Sequence, residues 1–250
     1  TKFNTVNEYE IIIPTSCETI GQYAFENMAL ISDIIVSDTV TSIGGGAFKG
    51  CNSLEKITLP FIGSIIGDTD DTTNTFGHIF GLYSCYDSSC GSKTSNTSYE
   101  YTYQGYGYYL SGYYYKYCNY YIPKTLKEVV VTVQTDIPAR AFYNCDLIEK
   151  ITIPTDTEAI GARAFYNCNA LKQFNSDVDG VFNIPTGVCV INDYTFYNVL
   201  LAEEFMMAND ITSIGEYAFS GCISVTKFNT VNEYEIIIPT SCETIGQYAF

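Results

Sequence analysis

Tryptophan is absent from this chain, histidine occurs once, at His78, and basic residues are few: 12 Lys and Arg stand against 28 Asp and Glu, a formal net charge of −16. Each shortage excludes something. Nucleic acid and anionic membrane are disfavoured as partners, because both are held through basic side chains. A Ser/His/Asp or Cys/His catalytic arrangement has only His78 to draw on, and its neighbours Gly77 and Ile79 read instead as a variant of the aromatic slot described below. No apolar run reaches the roughly 18 residues of a membrane-spanning helix. Cys-x-x-Cys zinc spacing and Gly-x-Gly-x-x-Gly are both missing, and Gly44-Gly45-Gly46 is a glycine-rich turn rather than a phosphate loop. Initiator Met, signal-peptide and lipidation patterns are also missing, and the chain opens mid-pattern at Thr1, which reads as a piece of something longer. No cofactor is implied and the chain does not read as an enzyme.

What is present is a repeat. Hydrophobic residues make up 46% of 250, enough for a large core. An Ala-Phe pair or close relative recurs at Phe25, Phe48, Phe142, Phe165, Phe196, Phe219 and Phe250, in steps of 23, 94, 23, 31, 23 and 31 residues. Four to five residues ahead of each stands an Ile (Ile20, Ile43, Ile137, Ile160, Ile191, Ile214, Ile245), five of them followed by Gly. Cys follows the Phe by three at Cys51, Cys145, Cys168 and Cys222; Met28 and Val199 replace it in two coils. An alternating apolar segment ending in Pro comes next, as at Ile57-Thr58-Leu59-Pro60 and Ile151-Thr152-Ile153-Pro154.

The alternation predicts a short strand feeding one side into a core. Pro then stops the ladder, the Ile-Gly segment turns the chain with Gly free to take positive φ, and Ala-Phe fits a short helical or 3-10 turn. One such coil cannot bury its apolar face alone, whereas stacked coils bury all of them in a continuous core. A larger period lies over this one: residues 1–25 recur unchanged at 226–250, an offset of 225, and the short steps add up to that period without remainder. Packing does not require Asn7, Glu8, Tyr9 and Glu10 to reappear as Asn232, Glu233, Tyr234 and Glu235. Either a 225-residue block is tandemly duplicated with little divergence, or the chain is a window on a polymer of such blocks. With two coils in the 94-residue step a block has seven, a rise of roughly 34 Å at about 4.8 Å per coil.

The unit carried by Ile57 to Pro60, Ile43-Gly44, Ala47-Phe48 and Cys51, and again by Ile151 to Pro154, Ile160-Gly161, Ala164-Phe165 and Cys168, resembles the BspA-type (Treponema pallidum-type) leucine-rich repeat. The resemblance implies an α/β-type repeat solenoid of short strands and short helical or 3-10 turns. It also implies an extracellular or cell-surface location, and adhesion or host-protein binding rather than catalysis.

One region departs from the period, dividing a single continuous domain into coils at 1–60, an aberrant coil with an insertion at 61–125, and coils again at 126–250. Phe76-Gly77-His78-Ile79-Phe80 fills the Ala-Phe slot of the aberrant coil. Beyond it, 12 of the 23 residues from Tyr99 to Tyr121 are Tyr. Tyr99, Tyr101, Tyr103, Tyr106, Tyr108, Tyr109, Tyr113, Tyr114, Tyr115 and Tyr117 form a candidate contact surface, since Tyr offers a rigid amphipathic ring with few rotamers to freeze; the alternative is a flap whose rings pack on one another. The ladder cysteines read as small, buried, reduced core residues. Cys85, Cys90 and Cys118 follow no period and are candidates for a disulfide closing the flap, Cys118 with Cys85 or Cys90. Asp68, Asp70 and Asp71 are a weak calcium candidate without the 12-residue loop pattern, and Asn96 heads the one glycosylation sequon.

The expected function is that of an extracellular structural and adhesive protein whose blocks stack end to end, copies of itself being the first partner. The alternative is a monomeric surface module binding a host or matrix protein or a glycan through a concave sheet and the Tyr-rich loop.

Overall fold

In the computed structural model, residues 9–68, 73–86, 101–110, 114–229 and 235–250 are described. Each coil begins with a strand of two to four residues, and ten of these pair in parallel into one sheet. In order across it the strands are Glu10–Ile12, Asp33–Ile35, Lys56–Leu59, Glu128–Val131, Lys150–Thr152, Gln173–Phe174, Val181–Asn183, Glu204–Met206, Lys227–Phe228 and Glu235–Ile236. The register is that of the repeat: Ile11 lies beside Ile34, Ile34 beside Ile57, Ile57 beside Val129 and Val129 beside Ile151. Alternation does the sorting. In Lys56–Leu59, Ile57 and Leu59 are fully buried while Lys56 and Thr58 face outward. A second face carries two-residue strands such as Thr19–Ile20 beside Ser42–Ile43 and Val190–Ile191 beside Ser213–Ile214.

The third side of each coil is the Ala-Phe segment. It forms a tight turn; among the described residues the one 3-10 helix is Phe76–Phe80. Turns of successive coils are joined by amide-to-carbonyl bonds, Phe25 N to Ala47 O, Phe142 N to Ala164 O and Phe196 N to Ala218 O, each 2.8 Å. The Phe side chains line up in one interior row. Phe48, Phe142, Phe165 and Phe196 are fully buried, Phe219 is 3% exposed and Phe25 8%. Their rings stack at 5.6 Å for Phe25 on Phe48, 5.6 Å for Phe142 on Phe165, 5.3 Å for Phe165 on Phe196 and 5.7 Å for Phe196 on Phe219. Phe48 N donates to Ile79 O, so Ile79 and Phe80 occupy the Ala-Phe slot of the aberrant coil.

Three readings of the repeat change in detail. The glycine after Ile is needed for space, not for positive φ: a Cβ on Gly44, Gly161 or Gly215 would collide with the backbone nitrogen of Gln22, Ala139 or Asp193 in the coil before. The 31-residue steps, which read from length alone as two coils stretched by added residues, are not longer loops. Their extra residues make an additional rung of the main sheet, Phe174 pairing in parallel with Phe182 across a six-residue connection in which Gly180 has φ +80°. Lys227–Phe228 and Glu235–Ile236 repeat the device. The turn face gains no matching level there, since Phe165 still stacks directly on Phe196. The ten-stranded sheet is therefore the longer side of the stack, the opposite of a sheet made concave by closer spacing. Lastly, the ladder cysteine does more than fill space. Cys51, Cys168 and Cys222 point their thiols at the carbonyls of Phe25, Phe142 and Phe196 one coil back, at 3.4, 3.2 and 3.0 Å, a weak bond between coils that Ala or Val does not make.

Candidate functional site

The outward positions of the main sheet carry two rows of alternating charge. Lys56 lies 3.0 Å from Glu128, Glu128 4.0 Å from Lys150 and Lys150 2.5 Å from Asp177. In the parallel row Lys127 lies 3.2 Å from Glu149, Glu149 3.3 Å from Lys172 and Lys172 3.4 Å from Asp179. These are neighbours across rungs, so like charges there would oppose pairing. Burial works against the Glu149 carboxylate, but hydrogen bonds from Lys127 and Lys172 outweigh it and hold its pKa below the ordinary range. The Lys150 hydrogen bond lowers Asp177 in the same way. A hollow of about 410 Å³ beside the extra rung is lined by Lys150, Thr152, Asn175, Asp177 and Asn183. Its polar groups are largely engaged with one another: Ile153 N donates to Asn175 Oδ1 at 2.8 Å and Asn183 Nδ2 to Asn175 O at 2.9 Å.

The turn face is different in kind. Tyr143, Tyr166 and Tyr197, each just after its Phe, stack at 4.7 Å and again at 4.7 Å. Of Tyr194, Tyr217 and Tyr248, each two before its Phe, the first two stack at 4.8 Å and Tyr248 lies tilted against Tyr217 at 5.0 Å. The two stacks join where Tyr194 meets Tyr197 at 5.6 Å, and the Arg163 guanidinium lies 4.6 Å from the Tyr194 ring centre. Along the strip the ring faces are largely taken up by one another and, at Tyr194, by Arg163. Burial raises the Tyr166 and Tyr217 hydroxyls, with smaller contributions from neighbouring tyrosines.

The backbone there is strained. The slot two before Phe is left-handed in every one of these coils, with φ of 58° at Tyr23, 60° at Arg140 and Arg163, 56° at Tyr194, 53° at Tyr217 and 55° at Tyr248. Another left-handed slot, two after Phe, holds residues that tolerate it: Asn27, Asn144, Asn167 and Asn198, with Gly50 and Gly221. Those asparagines bond to one another, Asn167 Nδ2 to Asn144 Oδ1 at 2.9 Å and Asn198 Nδ2 to Asn167 Oδ1 at 3.0 Å. Bulky residues in the first slot cost about 1 kcal/mol each, although Gly46 shows that the turn accepts glycine there. Residue spacing gave no hint of this strip, because Tyr and Arg at these sites sit inside the repeat and vary from coil to coil. A signal was available: two residues ahead of Phe, the side chain must tolerate a left-handed turn.

The insertion forms a separate antiparallel sheet, Leu82–Tyr86 beside Tyr114–Pro123 beside Tyr101–Leu110. Tyr101, Tyr103, Tyr106, Tyr108, Tyr109, Tyr114, Tyr115 and Tyr117 lie on its strands, their side chains outside the described part. Tyr99, Tyr113, Cys90 and Asn96 fall outside the described residues altogether. The backbone register sets Cys85 opposite Cys118. Of the calcium candidates, Asp70 and Asp71 are also outside the described residues, while Asp68 accepts hydrogen bonds from Ser64 and Thr73 at 2.5 Å. His78 lies in the 3-10 helix, its carbonyl taking the Gly46 amide at 2.9 Å. No helix among the described residues is long and apolar enough to cross a membrane.

The end of the stack is apolar. Ile236 is 54% exposed, Ile245 52% and Phe250 47%, while their counterparts in the identical first segment, Ile11, Ile20 and Phe25, are 1%, 3% and 8% exposed beneath the next coil.

The family profile described as the BspA type leucine rich repeat region matches residues 2–69 and 135–250 in six copies. The chain belongs to this family. The matched stretches leave out residues 70–134, which hold the aberrant coil, the insertion and the strand Glu128–Val131. A search of curated proteins gives no match. Among solved structures, a leucine-rich repeat protein from Bacteroides ovatus is 19% identical over 97% of this chain and 55% of its own, with a TM-score of 0.46. The Treponema pallidum leucine-rich repeat protein is 14% identical over 87% of this chain and 78% of its own, with a TM-score of 0.40. A leucine-rich cell surface protein from Faecalibacterium prausnitzii is 17% identical over 91% of this chain and 89% of its own, with a TM-score of 0.36. This BspA-type chain spans only about half the length of the Bacteroides ovatus protein.

Proposed function

We propose that the chain is a segment of an extracellular structural and adhesive array in which 225-residue blocks stack end to end as one solenoid. One observation carries the reading: residues 226–250 repeat residues 1–25 without a change, and in the first copy the coil that follows covers the apolar face, leaving Ile20 at 3% and Phe25 at 8% exposed. The covering segment is the coil from Glu26 to Leu59, which lays Ile34 beside Ile11 and the Ala47 carbonyl against the Phe25 amide. A second such segment after Phe250 meets the same side chains in the same register, whether it comes from one chain or from another copy. Burying that face draws on the apolar surface that holds any two coils together. The location fits the family and the neighbour described as a cell surface protein. The Tyr-rich hairpin then recurs once per block, giving multivalent display toward a host or matrix protein or a glycan.

The test is a set of concatemers of one, two and three 225-residue blocks. Small-angle scattering should show length growing by roughly 34 Å per block along the turn face, at about 4.8 Å per coil, and thermal stability should rise with block number. Blocks that tumble independently, with no gain in stability, overturn the reading.

A further inference from the structure

We propose that the Tyr/Arg turn face is a self-association surface on which a second copy of this chain pairs side by side, antiparallel, about a two-fold axis between the Phe165 and Phe196 levels. The proposal does not depend on end-to-end stacking. Three observations on this face meet in it.

The first is the sign of the charges. Arg140 and Arg163 occupy the slot two before Phe on two successive coils, and on the next two coils Asp193 and Glu216 stand immediately before Tyr194 and Tyr217 in that slot. Basic groups on two levels are thus followed by acidic groups on two levels, in the position next to the arginine column. A two-fold axis lying across the face inverts the order of levels and keeps each column opposite itself. It sets Arg163 of each copy against Tyr194 and Asp193 of the other, and Arg140 against Tyr217 and Glu216. The parallel arrangement sets like charges against like.

The second observation is the periodicity. Phenol rings spaced at 4.7 to 5.0 Å along the axis match, level for level, only a surface with the same rise. Another solenoid of this kind has it; an extended peptide, at about 3.3 Å per residue, does not. The Arg163–Tyr194 contact within the chain at 4.6 Å shows that arginine and tyrosine of adjacent levels are compatible neighbours on this face. Tyr and Arg are also the side chains enriched at the centres of such contacts.

The third is the strain. Left-handed φ is imposed on Arg140, Arg163, Tyr194 and Tyr217, where glycine serves at Gly46. Stacking offsets this for the tyrosines. Arg163 has the Tyr194 ring of its own chain beside it, and the opposing acidic pair adds a further partner for the arginines.

Analytical ultracentrifugation of the full chain reads the outcome. The background is Ile245→Asp, which removes end-to-end contact through the bare apolar end. The expected species at high micromolar concentration has twice the 27.8 kDa chain mass, and rising salt shifts it toward monomer. Arg140→Glu with Arg163→Glu should be monomeric, and so should Asp193→Arg with Glu216→Arg. Mixing the two variants should restore a one-to-one pair, since every contact is then between opposite charges. Tyr194→Gly with Tyr217→Gly is the second line of test: glycine relieves the φ strain, so the fold stays intact by circular dichroism while pairing weakens at least tenfold. A monomeric background protein would give the strip to some other partner and overturn the proposal. So would dimers that persist in both charge variants, or charge variants that fail to pair when mixed.

Discussion

Phe196 sits at the centre of the aromatic core, and replacing it with Ala is the sharpest probe of the stacking argument. Its ring is fully buried and touches five others: Phe165 at 5.3 Å, Phe174 at 5.8 Å, Phe182 at 6.4 Å, Phe205 at 5.2 Å and Phe219 at 5.7 Å. Those neighbours belong to the coils on either side and to the extra rung, none of which collapses into the gap without breaking sheet register. Removal therefore costs the transfer free energy of the ring and the cavity it leaves, about 3–5 kcal/mol. Phe250→Ala removes the same atoms from the same sequence slot, but with 47% of the residue already in water and no closed cavity left behind; it costs roughly 1 kcal/mol. Urea unfolding gives the two values, and hydrogen exchange locates the damage. In a stack where each coil touches only its neighbours, protection should fall from the Lys150–Thr152 strand to the Lys227–Phe228 strand and hold between the Asp33–Ile35 and Lys56–Leu59 strands. Equal costs for the two substitutions within about 0.5 kcal/mol, or a uniform loss of protection, would refute the account of coil-on-coil burial.

Two further outcomes are expected. Glu149 and Asp177 have folded pKa values below the ordinary carboxylate range, so their contribution is present above about pH 4 and is lost as the pH falls through the lowered values; the melting temperatures of wild type and Asp177→Asn should differ at neutral pH and low salt and converge in acid, and a gap that widens in acid would contradict the charge rows. Cys85 and Cys118 lie opposite each other in antiparallel register, at a Cα spacing of about 4.5–5.5 Å for such pairs that a disulfide can span. Protein secreted through an oxidising compartment should give a peptide linking Cys85 to Cys118 on mass spectrometry, and free thiols at both sites would count against the bridge.

The interior row of Phe25, Phe48, Phe142, Phe165 and Phe219 was legible from spacing alone, because burying one face of each coil demands the same residue at the same interval. The aberrant slot at Ile79-Phe80 was legible for the same reason. The extra rung at Phe182 was not: eight added residues look like a loop until the pairing of Phe174 with Phe182 shows a second strand, and parallel neighbours seldom join across so short a connection. The role of Gly161 was misread because local sequence cannot distinguish a glycine that bends the chain from one that lets the backbone of another coil approach. Tyr194 and Arg163 escaped notice because their significance lies in φ and in stacking across coils, and neither leaves a periodic mark.

The thiols aimed at carbonyls of the preceding coil have a practical consequence. Burial pushes the Cys51 pKa up to about 11 and that of Cys222 to about 12, with Cys145 and Cys168 raised as well, so none forms the reactive thiolate at neutral pH while its coil is closed. An alkylating reagent meets the buried Cys51, Cys145 and Cys168 only when adjacent turns separate, whereas the partly exposed Cys222 and the exposed Cys189 are open to it sooner. Position by position, the modification rate becomes a clock that reports how often, and from which end, the stack comes apart.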